Sequence, residues 1–422
     1  RVIILGGGLA GLTFAHYLRN FLAYYRVTDR IRKITIFEAN DYMGGSIKSN
    51  VFDDNVVHEL GPRSVRTQGS KAKNTCALVD QLGLSDRVLT IDPKSAASKD
   101  RYVYRNNQMW SVPSGISKLF NKLPGTDERL LKVVWRDLSN SQRMDLSQYT
   151  FNDPPIYDFI KHRFGENAAD AILDPLMRGI TAGDCRLWST RGIFAEMLDK
   201  EQTHGGIIRA LSSAPPNKLE LDDLYANDCL QSELLQKFTK ENVWSFNIKT
   251  GLQTLPEHLS NSLLNSNDDD VVAIYNRTKA LSVKFSNELK EDNAPCSVAV
   301  ETIDGDQITI EGEHLVSALP AVNFSSILNS SNEGISHELK EATAFLSAIP
   351  HAPVGCVTVE YRNIDKELPT IANSFGFLTH SKAGSRLLGV SFDSASFPTI
   401  DRDVGAFRMT CMMGGAWANE VF

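Results

Sequence analysis

A strand that runs straight into a spaced-glycine turn narrows the fold of this chain more than any other feature in it. Val2-Ile3-Ile4-Leu5 is a short apolar, partly β-branched run, and Gly6-Gly7-Gly8-Leu9-Ala10-Gly11 follows at once as GxGxxG. Each glycine has its own reason in such a turn. Gly6 permits the tight turn, Gly8 lets backbone approach a pyrophosphate, and Gly11 lets the next helix pack closely on the sheet. A helix is predicted next, because Leu12, Ala15, Leu18, Leu22 and Tyr25 recur at three- and four-residue steps. A second strand, Ile34-Thr35-Ile36-Phe37, ends in Glu38, an acid placed to accept hydrogen bonds from ribose hydroxyls. The strand-helix-strand unit predicts a nucleotide whose phosphates sit at the helix N-terminus, where free N–H groups and the dipole favour an anion.

The chain has 422 residues, 42% of them hydrophobic, enough for a large core in two or three domains. A net charge of -7 argues against nonspecific nucleic-acid binding, since no broad basic surface is available to displace counterions. Cys76, Cys185, Cys229, Cys296, Cys356 and Cys411 are scattered, without CxxC or Cys/His clustering, so reduced and mainly buried thiols are expected. The nine histidines show no ligand spacing either, and no metal is expected. No run approaches the roughly 18 to 20 apolar residues that span a bilayer.

Along the chain, Asp92 to Asp100 reads as a polar exit loop after the first nucleotide unit. A hairpin is predicted next, Arg101-Tyr102-Val103-Tyr104 turning at Asn106-Asn107 into Gln108-Met109-Trp110. From Val112 to about Ala210 the pattern is helical with proline and glycine breaks. A nucleotide-domain strand is expected at Val271-Val272-Ala273-Ile274 after the polar loop 265–270, and another at His314 to Pro320. Alternating runs from Val354 to Met413 predict an antiparallel sheet.

Two further segments bear on which nucleotide is held. Glu38 is followed by Gly44-Gly45, and Gly61-Pro62-Arg63 comes soon after. As isolated features these are common turn formers. In order, they resemble the flavin amine oxidase-like superfamily, where Glu-x(5)-Gly-Gly wraps the FAD pyrophosphate and ribose and a Gly-Pro segment lies near the flavin. More specific segments follow: Arg178-Gly179-Ile180-Thr181-Ala182-Gly183-Asp184, Glu201-Gln202-Thr203-His204, and Arg408 to Trp417 with its Gly414-Gly415-Ala416-Trp417. With these the chain resembles the oxygen-dependent protoporphyrinogen IX oxidases of that superfamily.

The resemblance implies an α/β fold combined with α+β parts: a Rossmann-like FAD-binding domain (1–90 and 245–322), an antiparallel-sheet substrate domain (91–110, 211–244 and 323–422) and an inserted helical, membrane-associating domain (111–210). It implies FAD held by Gly6, Gly7, Gly8, Leu9, Ala10, Gly11, Glu38, Ala39, Gly44, Gly45, Ser46, Lys48, Gly61, Pro62, Arg63, Ser64 and the backbone of Val271. It also implies oxidation of protoporphyrinogen IX by dioxygen, with six electrons removed and hydrogen peroxide formed. The flavin takes hydride, so no nucleophile is required. Arg101 matches the position that pairs with a propionate, and a guanidinium suits a carboxylate through two parallel hydrogen bonds. Phe375, Leu378 and Met412 match positions lining the substrate slot, though each also reads as sheet core. Gly179 matches a glycine whose carbonyl faces a pyrrole N–H, and reads equally as a turn residue.

Some positions depart from the pattern. Ser46 stands where many relatives carry Arg, with Lys48 as an alternative phosphate partner, and Ser391 stands where an apolar slot residue is found. Trp110, Val112, Pro113, Ile116, Leu119, Phe120 and Leu123, flanked by Lys118 and Lys122, form a stretch suited to a membrane interface or to packing on its own domain. The family implies a peripheral protein of the mitochondrial inner membrane and allows a homodimer. Members of the family continue beyond Gly-Gly-x-Trp into a segment that closes over the flavin. The sequence ends at Phe422, so the C-terminal part of the FAD domain is expected to be missing. Two other readings stay open: a related flavin oxidase or desaturase acting on an amine or polyene, and a noncatalytic, FAD-free scaffold.

Overall fold

A computed structural model of the chain describes residues 1–27, 31–52, 56–67, 70–113, 116–213, 231–265, 271–286, 295–330, 336–364, 367–401 and 405–421. Cys229 and residues 266–270 of the expected polar loop lie outside the described residues. The chain forms two compact units. One comprises Arg1–Leu89, Asp228–Lys237 and Ser245–His351; the other comprises Thr90–Asn227, Phe238–Trp244 and Ala352–Phe422.

In the first unit, β1 (Val2–Leu5), β2 (Ile34–Phe37), β5 (Val272–Tyr275) and β9 (His314–Ser317) form a parallel sheet in the order β5-β2-β1-β9. Every residue of β1 and β2 is buried, as a sheet covered on both faces requires. Alternation divides the residues of β1 between two cores. Val2 and Ile4 meet Leu12 and Ala15 of α1 (Leu9–Tyr24) and Leu259 and Leu263 of α6 (Thr254–Leu264). Ile3 and Leu5 face the other way, toward Val283, Val298 and Val300. Those valines come from an antiparallel sheet of β6 (Lys279–Phe285), β7 (Cys296–Glu301) and β8 (Gln307–Gly312). Tyr25 differs from expectation: α1 ends at Tyr24, and Tyr25 is its exposed C-cap. Residues 323–351 differ too. Assigned by the sequence to the substrate domain, they belong to the first unit, where α7 (Ala321–Asn329) and α8 (His337–Ala348) send Ile327, Leu328, Leu339 and Leu346 into the core beneath β1.

The second unit carries a six-stranded sheet. Its order is β10 (Val354–Tyr361), β13 (Phe407–Gly414), β12 (Leu387–Ser391), β11 (Gly376–Thr379), β3 (Tyr102–Arg105) and β4 (Gln108–Ser111). All pairs are antiparallel except β11 with β3. The hairpin of β3 and β4 turns at Asn106 and Asn107 with φ of 52° and 58°, the left-handed pair that a two-residue turn needs and asparagine tolerates. The predicted exit loop instead contains a short helix, Ala96–Lys99, because the Ser95 hydroxyl caps it by accepting from the Ser98 N–H and Ala97 is buried.

The helical part of this unit includes α2 (Leu130–Ser139), α3 (Ile156–Phe164), α4 (Asp174–Thr181) and α5 (Thr190–His204). Ile156, Phe159, Leu173, Met177 and Leu198 form its core. Beside that core lies Arg163, with no exposed surface. It donates to Asp137 Oδ1 at 2.7 Å and to the carbonyls of Asp137, Asn140, Gln142 and Gly205. Glu201 is equally buried, 3.6 Å from Arg163 and accepting from the Met144 N–H at 2.9 Å. The Glu201-Gln202-Thr203-His204 segment therefore ties helices together. In the apolar stretch expected to favour a membrane, Pro113 and Leu123 are buried, whereas Phe120 is 68% exposed. Among the described residues, no helix is long and apolar enough to cross a membrane.

Candidate functional site

The glycine turn lines a cavity of about 960 Å³ in the first unit. Gly6, Gly8, Leu9, Ala10, Glu38, Ala39, Gly44, Gly45, Ser46 and Pro62 contribute from the sequence-predicted set. The local reason is steric. Gly6 has φ of 104°, and a Cβ at Gly11 would collide with the Gly6 carbonyl oxygen, so both positions need glycine. A Cβ at Gly8 would meet nothing nearer than Gly45 Cα at 3.8 Å, which leaves that backbone open for close approach. The second glycine pair docks on the first turn, with the Gly44 N–H donating to Gly7 O at 2.9 Å.

Glu38 is only 7% exposed. Its Oε2 accepts from the Gly7 N–H at 2.7 Å, and its Oε1 accepts from the backbone and side-chain amides of Asn40 at 2.8 and 2.7 Å. Both lone-pair sites of Oε1 are thereby engaged, whereas Oε2 retains capacity for a hydroxyl. At the start of α1 no side chain caps the helix and no acid stands in its first turn, so its leading N–H groups suit an anion.

Other predicted residues lie outside the lining. Gly7 and Gly11 shape the turn, Gly61 packs under the Ser46 carbonyl, and the Arg63 carbonyl accepts from Asn247 at 2.9 Å. Ser64 is partly buried beyond it. Lys48 places its ammonium 4.4 Å over the Tyr42 ring. The Val271 carbonyl accepts from the Ile34 N–H at 2.6 Å, so that backbone acceptor is engaged within the sheet. Below Arg63, Glu59 is buried and bonded to Ser49 Oγ, the Leu252 N–H and Asn247; burial pushes its carboxyl above the ordinary range despite those bonds.

The predicted substrate residues all fall in the second unit. The sheet register aligns Val103, Leu378, Gly389, Met412 and Cys356 in one row across five strands. Leu378 and Met412 thus share a face, separated by a strand that carries no side chain at Gly389. From α4, Gly179 packs on this face, and a Cβ there would collide with Leu378 Cδ2. The glycine is required first for that contact. One residue before β3, the Arg101 guanidinium lies 5.0 Å from the ring centroids of both Phe375 and Trp244. Ser391, the departure from the family pattern, donates to Asp393 at 2.9 Å, and Thr410 donates to the other oxygen of that carboxylate at 2.5 Å.

The two most specific sequence motifs also meet. Arg178, 2% exposed, stacks 4.0 Å over Trp417 and donates through Nη2 to the Ser385 and Leu387 carbonyls. Burial lowers the pKa of its guanidinium. The Ala416 N–H donates to Ala182 O at 2.8 Å, and a Cβ at Gly415 would strike the same oxygen.

Comparison with known proteins agrees with this geometry. The profile of the flavin containing amine oxidoreductase family matches residues 9–422. The chain belongs to this family. Protoporphyrinogen oxidase of Bos taurus is 28% identical over 421 residues, covering 99% of this chain and 77% of the bovine protein. Coproporphyrinogen III oxidase of Bacillus subtilis is 24% identical over 341 residues, covering 78% of this chain and 64% of that protein. Among solved structures, a UDP-galactopyranose mutase superposes with a TM-score of 0.60 at 14% identity over 98% of this chain and 74% of that one. A putrescine oxidase does so with 0.59 at 14% identity over 99% and 76%.

As a flavin-containing amine oxidoreductase the protein is an oxidoreductase, and FAD is its cofactor. The cavity fits it, because Gly8 and Gly45 present bare backbone, α1 presents an uncapped N-terminus, and Glu38 presents a fixed carboxylate. The lining also includes residues that the motifs did not mark, among them Thr13, Tyr17, Asn74, Leu319, Pro320 and Asn323. Thr13 and Tyr17 come from α1, Asn74 from the helix Ser70–Gln81, Leu319 and Pro320 from the turn after β9, and Asn323 from α7. Only the small-residue run Ser317-Ala318-Leu319-Pro320 signals them in the sequence.

Proposed function

We propose that this chain oxidises protoporphyrinogen IX to protoporphyrin IX, with dioxygen as terminal acceptor, as a step of haem biosynthesis. The observation that carries the reading is the face of the second unit. There Leu378, Gly389 and Met412 share one row, Gly179 packs on Leu378, and Arg101 precedes the strand that continues the row. This arrangement suits a flat apolar macrocycle with an acidic side arm, and relatives matched along the whole chain bear the name of that activity. When bound, FAD supplies a two-electron acceptor that returns electrons to dioxygen, so three rounds remove six electrons and form three hydrogen peroxide molecules. The protein's task is positioning. Arg101 binds a propionate, Leu378 and Met412 flank the macrocycle, and packing by α4 excludes water.

The test is direct. Purified full-length protein shows flavin absorption and converts protoporphyrinogen IX to fluorescent porphyrin in air but not anaerobically, and Arg101→Ala lowers kcat/KM about tenfold or more, the order expected from losing a charge-assisted carboxylate contact. A colourless, inactive protein, or one turning over putrescine but no porphyrinogen, overturns the reading.

The proposal extends to peripheral attachment at the mitochondrial inner membrane. Its support is an exposed apolar stripe on α2, Leu131, Trp135 and Leu138 at i, i+4 and i+7, joined by exposed Phe120 and edged by Arg129 and Lys132. Trp135→Ser combined with Phe120→Ser should abolish co-flotation with cardiolipin-containing liposomes. Wild-type protein that stays wholly soluble in that assay contradicts the attachment.

A further inference from the structure

Trp244 has no role in the family resemblance, yet it touches the one cation to which the proposed reaction assigns a carboxylate. Its ring centroid lies 5.0 Å from the Arg101 guanidinium carbon, and Phe375 lies at the same distance. The two rings stand at 62° with centroids 5.6 Å apart, so they close an aromatic corner around the charge. Nη1 of Arg101 donates to the carbonyls of Ala97 and Asp100 at 2.9 and 3.0 Å, which anchors one end of the guanidinium. The Trp244 indole N–H is buried with no hydrogen-bond partner among the described residues. A polar tip left unsatisfied is costly, so no hydrogen bond accounts for the tryptophan here, and the ring face does the work.

We propose that Trp244 is a positioning residue for carboxylate recognition by Arg101. A carboxylate pairs with a guanidinium edge-on, in its plane, through parallel N–H···O bonds. Rings packed against the cation restrict rotation of that plane, so a carboxylate meets it in one orientation. The inference rests on the porphyrinogen reading, and it makes Trp244 a determinant of selectivity for the free acid.

The experiment measures binding of protoporphyrin IX and of its dimethyl ester to the full-length flavoprotein by quenching of porphyrin fluorescence, for wild type, Trp244→Phe, Trp244→Leu and Arg101→Leu. Wild type should prefer the acid. Trp244→Phe, which keeps a ring, should hold the acid-to-ester ratio within about twofold, whereas Trp244→Leu should lower it about tenfold, in the direction of Arg101→Leu, with ester affinity unchanged. A Trp244→Leu ratio equal to wild type overturns the inference, as does a Trp244→Phe loss as large as that of Trp244→Leu. Wild type that binds neither porphyrin defeats the porphyrinogen reading itself and is distinguished by that result.

Discussion

At the scale of single residues, the contact between Gly179 and Leu378 decides the width of the proposed slot. A methyl group on Gly179 would occupy the space of Leu378 Cδ2, the far end of a flexible side chain, so Leu378 must swing aside rather than the backbone move. Gly179→Ala should therefore keep the fold and the flavin spectrum while lowering porphyrinogen kcat/KM about tenfold, and adding Leu378→Val should recover part of the loss. Steady-state kinetics of the two single variants and the double variant check this as a coupling between touching residues. Strict additivity would separate the two side chains. Neither contact nor coupling is visible in the sequence. The motif marks Gly179 and position marks Leu378, but nothing local states that one exists for the other, because their meeting depends on how α4 lies on the sheet.

At the scale of elements, buried charge holds the helices of the second unit in place. Arg163 and Asp137 are wholly enclosed, and Arg163 also neutralises the nearby buried Glu201. Arg163→Met should destabilise this unit by roughly 3–5 kcal/mol, since removing one partner leaves carboxylates uncompensated in the interior; denaturant unfolding measures it. Asp174 sets a pH limit on the same part of the chain. Burial opposes its charge, but hydrogen bonds from the Ser381 N–H and hydroxyl, with Arg186 at 2.9 Å, hold its carboxyl below the ordinary value of 3.8. A depressed carboxyl stabilises the folded state above its unfolded pKa, and that contribution fades as pH falls through the folded value. Wild-type stability should drop below about pH 4, and Asp174→Asn should be flatter over that interval in melts at stepped pH. The strands and the Asn106-Asn107 hairpin were legible because period-two apolar runs and turn residues are local signals. The Ser95-capped helix and the seat of α7 and α8 were less so, since a side-chain cap and a distant core decide them.

At the scale of the whole molecule, the nucleotide cradle was the part most fully written in sequence, because glycine is demanded wherever backbone must approach backbone or phosphate. The rest of the cavity wall was not, for residues such as Tyr17 and Asn323 carry no compulsory chemistry. The face with Arg101, Leu378 and Met412 is marked in the sequence only by resemblance; the register sets Leu378 and Met412 in one row, with Arg101 one residue before β3. The role proposed for these parts is aerobic porphyrinogen oxidation. Oxygen uptake measured against porphyrin formed by the full-length flavoprotein tests it most directly. Three dioxygen consumed per protoporphyrin IX, with matching hydrogen peroxide, is the predicted result; porphyrin formed without oxygen uptake, or no porphyrin from a fully flavinated protein, would contradict it.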